Sequence, residues 1–463
     1  GVADLYRADG GVGRGVRVSG EGRAGRRVGA VFAGALVEAD DGAGAPLSVL
    51  SLDIETDESD RSVRAASLAM ADWTIDLLSP EGRSTEGRSS GGRRLARRDG
   101  PVEVLLVSCS VDGVQAVERR PEDGKRRPEG GNAGRQAGAD RTGYAVETFP
   151  DERSLIAALV ARIVTLDPDI LTGWNVVDFD LARLVERAEA LGMEFDAGRS
   201  SDGACVLPKG SGRTATAIVQ GRQVLDAMRV ARSGPERYDD YALETVARSA
   251  LGRGKGVALR GAAKIAELDR MYRDDADAFA AYAAEDAALV LDVLDATGLF
   301  ALTVARARLV GIGIDRAWTS VAAFERAYGE SLRERGVVPP PFDERRSVSG
   351  AAGGTVLPAA AGYREGVVVL DFRSLYPSVM RTFCVDPMAN ARSGSPDDIV
   401  APNGARFARE RGGERWPLPL LVDDYFARRE DAIARGDATG SYVYKILMNS
   451  FYGVLGPSSC RYA

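Results

Sequence analysis

Five side chains carry the first chemical signal. Asp53 and Glu55 stand two apart in the apolar run Leu47-Ser-Val-Leu-Ser-Leu-Asp-Ile-Glu55, so on a strand both point to one face. Two anions together on a buried strand are expensive unless a cation neutralises them, although the bare Asp-x-Glu pattern also occurs widely as surface charge. Asp180 follows Gly173-Trp-Asn-Val-Val-Asp-Phe at the expected start of a helix. Asp286 closes Tyr282-Ala-Ala-Glu-Asp286, whose i, i+4 spacing puts phenol and carboxylate on one helical face. Singly, each is equally a cap or a solvated charge. Together they make an all-oxygen donor set, which selects Mg2+ or Mn2+ over Zn2+. Two such ions roughly 3.5–4 Å apart suit in-line attack of water on a phosphodiester, one activating the water and the other stabilising the leaving 3′ oxygen. The Tyr282 hydroxyl would orient that water.

Composition narrows the alternatives. There is no His among the 463 residues, which excludes Ser-His-Asp triads, His-ligated metals and imidazole bases. The net charge of −7 offers no global basic excess, so any nucleic-acid contact must be local. Arg dominates the cations: the only lysines are Lys125, Lys209, Lys255, Lys264 and Lys445. The four cysteines are far apart with no Cys-x-x-Cys, which points to a reducing cytosol and a cytoplasmic protein. No apolar run approaches the ~20 residues that span a bilayer, so no membrane partner is expected. The start, Gly-Val-Ala-Asp-Leu-Tyr-Arg, has neither Met nor a signal h-region and reads as a cut edge.

The length allows roughly three domains of about 150 residues. Residues 1–45 read as a remnant of something larger. Strands are expected over 47–55, 102–111, 144–149 and 169–174. Leu155, Ile156, Leu159, Val160, Ile163 and Val164 form a helical stripe, and further helices are expected over 179–191 and 277–294. Alternating strands and helices indicate an α/β fold. The Arg- and Gly-rich stretches 81–100 and 118–143 read as solvated loops. Leu251-Gly-Arg-Gly-Lys-Gly256 lacks the glycine and hydroxyl spacing of a phosphate loop and reads as a turn.

A second constellation begins at Val367-Val-Val-Leu-Asp-Phe-Arg-Ser-Leu-Tyr-Pro-Ser-Val-Met380. It reads as a buried strand ending at Asp371, where a carboxylate can meet a metal, followed by a turn whose N–H groups can nest a phosphate. Tyr376 would lie near the sugar. A plain strand and Tyr-Pro turn fits the bare pattern equally well. Lys445, Asn449 and Tyr452, however, share one face of a helix in Lys445-Ile-Leu-Met-Asn-Ser-Phe-Tyr-Gly453. Lys445 suits a triphosphate, while Tyr452 and Gly453 offer a surface on which a base pair could stack.

These motifs together resemble the family B DNA polymerases, most closely the bacterial branch. Leu52-Asp-Ile-Glu-Thr56, Asn175-Val-Val-Asp-Phe-Asp180 and Tyr282-x-x-x-Asp286 are similar to the three motifs of proofreading 3′–5′ exonucleases, in order. Asp371–Pro377 and Lys445–Gly453 are similar to the family's first two polymerase motifs. The resemblance implies a ribonuclease H-like exonuclease domain over 46–300 and a linker and start of the palm over 301–365. Part of the palm over 366–395 and fingers over 396–463 would follow. It implies Asp53, Glu55, Asp180, Asp286 and Asp371 as metal ligands, two Mg2+ or Mn2+ per site, and Tyr282 as the water-positioner. Asn175 and Phe179 would line the single-stranded 3′ end, the Phe by stacking. Ser374, Leu375, Tyr376, Arg429 (or Arg428), Lys445, Asn449, Tyr452 and Gly453 would bind nucleotide. Implied partners are primer-template DNA, dNTPs and a sliding clamp, in replication and repair at the bacterial nucleoid.

There are departures from the family pattern. The third polymerase motif, an Asp-Thr-Asp that supplies a second synthesis carboxylate, is not reached by Ala463. Gly353-Gly-Thr-Val356 lacks the usual preceding Tyr, and Ile433 stands where a basic residue is expected. The expectation is therefore a fragment that trims DNA and does not extend a primer. A free-standing exonuclease has no use for the Lys445 helix, and a silent DNA-binding module has no use for clustered carboxylates.

Overall fold

A computed structural model describes residues 15–19, 22–23, 31–32, 36–40, 46–75, 95–107, 116–119, 143–199, 204–207, 215–254, 261–341, 357–358, 361–372, 374–456 and 459–462. They fall into two compact units, one of Gly15–Leu77 and Leu95–Ala301, the other from Leu302 onward. Lys255, Gly353–Val356 and Arg373 lie outside the described residues.

The first unit is built on a seven-stranded sheet of β1 (Leu47–Thr56), β2 (Val63–Ile75), β3 (Leu95–Val107), β4 (Ala116–Arg119), β5 (Tyr144–Phe149), β6 (Ile170–Gly173) and β7 (Gln223–Asp226), with short two-stranded pairs beside it in sequence. Their order in the sheet is β7-β6-β1-β2-β3-β5-β4. β1 runs parallel to β6 and antiparallel to β2, so the sheet is mixed and β1 is internal. Its helices are α1 (Glu152–Leu166), α2 (Asp180–Ala190), α3 (Ala227–Ser233), α4 (Leu243–Leu251), α5 (Gly261–Asp274) and α6 (Ala276–Ala296). Asp151 caps α1 by accepting the Ser154 N–H at 2.7 Å, and the expected stripe buries Leu155, Ile156, Leu159 and Ile163.

Strand alternation decides what faces what. On β3, Leu105 joins the core containing α1, whereas Val104 and Leu106 pack with residues of α6; helices therefore cover both faces. On β1, Leu50, Leu52 and Ile54 join the α1 core. Asp53 and Glu55 consequently face the α6 side.

Two expectations are corrected. Residues 95–100, read as loop, begin the long strand β3, because β2 extends to Ile75 and pairs Ala71–Ile75 with Leu95–Asp99. Arg97 is accommodated there by lying 5.3 Å over the Trp73 ring and donating to Asp292 at 2.8 Å. The strand expected over Val367–Leu370 is absent: those residues are irregular and 66–90% exposed. No described strand pairs with them, and backbone N–H and C=O groups without a ladder partner turn to water instead.

The second unit is helical, with the end of α7 (Leu299–Val310), then α8 (Ser320–Glu334), α9 (Leu375–Thr382), α10 (Pro387–Ala391), α11 (Pro417–Ala434) and α12 (Ala438–Gly453). Phe324, Tyr328, Met380, Leu418, Val422, Leu447 and Phe451 form its core. Buried Asp386 ties three segments together, accepting the Tyr328 hydroxyl at 3.0 Å and the N–H groups of Met388, Ala389 and Leu418 at 2.7, 2.9 and 2.8 Å. Among the described residues no single helix is long and apolar enough to cross a membrane.

Candidate active site

In the first unit, β1 presents Asp53 and Glu55, and α6 presents Asp286 one turn beyond Tyr282. Helix α6 packs against β1, β2 and β3. One oxygen from each of Asp53, Glu55 and Asp286 lies within 4.8 Å of the others. Asp180 is not in that set but is held against it. It is the first residue of α2 and 1% exposed, and its Oδ1 accepts the Ile54 N–H at 2.9 Å. Burial pushes its carboxyl well above the usual range, helped by the charges of Asp53 and Glu55. Asp180 Oδ2 is buried with no hydrogen-bond partner. An all-oxygen donor set, mutual repulsion and a dry, unsatisfied carboxylate oxygen are what a hard divalent cation resolves, so these residues fit one.

Close approach makes the site. β6 ends at Gly173, where a Cβ would sit 2.4 Å from the Leu52 carbonyl oxygen. The chain then turns through Asn175, whose φ of 68° is left-handed and which Asn tolerates better than most residues. Asp226 accepts the Val177 N–H at 3.3 Å and Arg229 donates to Asp178 at 2.8 Å, fixing this turn. Phe179 is left 40% exposed beside Asp180.

Tyr282 is buried, and burial, then the carboxylates of Asp286 and Glu55, push its phenol far above its ordinary value. It stays protonated and able to donate. Sequence reasoning missed one neighbour: Lys264 on α5 places its Nζ 5.4 Å from the Tyr282 ring centroid. The rarity of lysine was its only sequence signal.

In the second unit, Tyr376 and Tyr452 stack at 4.8 Å between centroids with planes 16° apart, joining the start of α9 to the end of α12. Lys445, Asn449, Tyr452 and Gly453 are all exposed on α12, whose other face buries Val443, Leu447 and Phe451. Ser374 precedes α9 at a left-handed φ of 52° and makes no side-chain cap hydrogen bond, with Leu375 and Tyr376 exposed after it. Arg428 is engaged by Asp424 at 2.9 Å, whereas Arg429 has its Nε buried without a hydrogen-bond partner. Ile433 is exposed. Asp371 lies in the irregular exposed segment rather than at a strand's end.

One unit thus carries a mixed sheet with an acidic face, and in the other a Ser-Leu-Tyr-Pro turn meets a Lys-bearing helix. Residues 103–246 match the exonuclease domain of family B DNA polymerases, and residues 329–405 match the family B DNA polymerase domain. The chain belongs to that family, and its first unit has the ribonuclease H-like exonuclease fold. DNA polymerase II of Escherichia coli (strain K12) is 32% identical over 324 residues, covering 69% of this chain and 41% of that protein. The DNA polymerase of Thermococcus sp. (strain 9oN-7) is 29% identical over 342 residues, 68% of this chain and 42% of that one. The chain thus spans less than half the length of these relatives. The solved family B DNA polymerase of the hyperthermophilic archaeon Pyrobaculum calidifontis shares the fold, with a TM-score of 0.62 at 20% identity over 99% of this chain and 54% of that one.

Proposed function

We propose that the chain is the proofreading part, with a portion of the synthesis part, of a DNA-directed DNA polymerase. Its first unit would hydrolyse the last phosphodiester of a single-stranded 3′ end. The observation that carries this is the convergence of Asp53, Glu55 and Asp286 oxygens within 4.8 Å, with buried Asp180 beside them.

In this reading Asp53, Glu55, Asp180 and Asp286 hold two Mg2+ or Mn2+ ions. When bound, the ions activate water and stabilise the departing 3′ oxygen. Tyr282, kept protonated, holds the attacking water on the side of Asp286. Water adds to phosphorus and gives up a proton to solvent, the P–O3′ bond breaks, the departing 3′ oxygen takes a proton from solvent, and a 5′-deoxynucleoside monophosphate leaves. Phe179 stacks on a terminal base and Asn175 contacts the strand. In the second unit, Lys445 and Arg429 contact a dNTP's phosphates, with the backbone after Asp371 and Ser374–Tyr376 beside its sugar. Asn449, Tyr452 and Gly453 face the nascent pair, and Asp371 is the synthesis ligand. Primer-template DNA and dNTPs are the partners this assigns, with a sliding clamp as accessory.

The test is digestion of a 5′-labelled single strand. Wild-type chain should produce a 3′→5′ ladder with Mg2+ or Mn2+ and none in EDTA. A metal-independent ladder, or intact DNA with a folded protein, would reject the assignment.

A further inference from the structure

The second unit contains a cavity of about 490 Å3 that no part of the trimming or synthesis chemistry uses. Its wall is α8, the coil after it and the segment at Arg461 and Tyr462. Arg316, Arg326, Arg333 and Arg461 line it, against Glu325 and Glu330. Four guanidiniums and two carboxylates give a formal balance of +2. Glu325 is engaged by Arg461, accepting its backbone N–H at 2.8 Å with the Nε 3.4 Å away.

Arg326 is the informative residue. Its Nε and Nη2 are buried with no hydrogen-bond partner among the described residues. Buried donors left unmade cost roughly 1–3 kcal/mol each, more when charged. These two nitrogens form one edge of a planar fork whose geometry matches an oxyanion bidentately once the guanidinium turns towards the cavity it lines. Tyr462 borders the same space with its ring held edge-on by Tyr328 (4.8 Å, 74°) and Phe324 (5.9 Å, 86°), a fixed aromatic surface.

We propose that this cavity is a second nucleotide site, taking a free nucleoside monophosphate whose phosphate is gripped by Arg326 and whose base lies towards Tyr462. The volume falls in the range of small-ligand sites, about 300–1,000 Å3, and inorganic phosphate would leave most of it unfilled. A phosphate monoester dianion matches the +2 wall, whereas a triphosphate overshoots it. The proposed trimming reaction releases this class of molecule, but binding here requires neither that reaction nor a metal.

The test is calorimetric titration of dAMP, inorganic phosphate and dATP into the 463-residue chain in EDTA. Saturable dAMP binding is expected, at least tenfold weaker in Arg326→Gln and about threefold weaker in Arg333→Gln, with melting temperatures recorded for each. The double variant Arg316→Gln/Arg333→Gln, at exposed positions, decides the matter if Arg326→Gln does not fold. Absence of saturable binding, or insensitivity to these arginines, overturns the site. Equal affinity for inorganic phosphate overturns the nucleotide assignment, tighter dATP overturns the monophosphate, and loss of dAMP binding in Lys445→Ala moves the ligand to α12.

Discussion

Replacing Asp286 by Asn isolates the electrostatics of the acidic cluster from its packing, since the side chain is 1% exposed and the amide is nearly the same size. At the 4.8 Å bound on the Asp53, Glu55 and Asp286 oxygens, two full charges repel by about 3.5 kcal/mol at an effective dielectric of 20. The amide also gives up charge-assisted interactions that the carboxylate makes, so Asp286→Asn should recover only about 1–2 kcal/mol in EDTA. That is a rise in melting temperature of about 2–8 °C for a unit of this size. A saturating cation acts the other way on wild type: at a hundredfold excess over Kd it adds about 2.7 kcal/mol, or about 5–10 °C. The variant should show little of that increment. Losing several kcal/mol of transition-state stabilisation should slow trimming about a thousandfold. Melting by scanning fluorimetry in EDTA and in Mg2+, paired with the strand-digestion assay, reads all three effects. A variant that melts lower in EDTA, keeps the full Mg2+ increment and still trims would refute the idea that these carboxylates share cations.

Asp180→Ala should abolish trimming while the circular dichroism spectrum stays native; unchanged digestion would remove Asp180 from the ligand set. Gly173→Ala puts a methyl group 2.4 Å from the Leu52 carbonyl and should lose about 1–3 kcal/mol of stability, seen as a lower urea midpoint; an unmoved midpoint would mean β6 and β1 separate freely. Asp386→Ala strands the Ala389 and Leu418 N–H groups and the Tyr328 hydroxyl proton, leaving the Met388 N–H to Tyr328 Oη at 3.1 Å, and should cost at least about 3 kcal/mol, measured by denaturant melting of the second unit. Lys445→Ala should weaken dNTP binding roughly tenfold by fluorescence titration, as one charge-assisted contact is worth about 1.5–3 kcal/mol; wild-type affinity would take the triphosphate off α12.

What was legible in the sequence follows from which patterns are local. β1, α1 and α6 each carry their own period, so the burial of Leu155, Ile156, Leu159 and Ile163 could be read directly. The acidic positions could be read because Asp53 and Glu55 alternate with apolar Leu52 and Ile54. Leu95–Asp99 could not, because its Arg-rich composition mimics a loop and only pairing with Ala71–Ile75 makes it a strand. Val367–Leu370 erred the other way: its branched apolar residues have strand propensity, but no ladder among the described residues receives them. Helix α5, the Lys264–Tyr282 contact and the arginine-lined cavity depend on tertiary placement that no period announces.

One strand explains why the trimming centre can be both stable and reactive. The even residues of β1, Leu50, Leu52 and Ile54, are buried against the α1 side, and that burial holds the strand internal whatever the odd residues do. Leu, Leu and Ile side chains bring about 1.5–3 kcal/mol each when fully buried, together more than the roughly 3.5 kcal/mol repulsion of one carboxylate pair at the 4.8 Å bound and an effective dielectric of 20. The apolar face therefore fixes the geometry, and the acidic face can carry unfavourable charge without opening the sheet. Asp180 extends the same logic: its Oδ1 accepts the N–H of Ile54, an apolar-face residue lying between the two acids. A cation binding to Oδ2 would thus meet ligands already positioned by the core, so its binding energy goes into neutralising charge rather than into ordering chain.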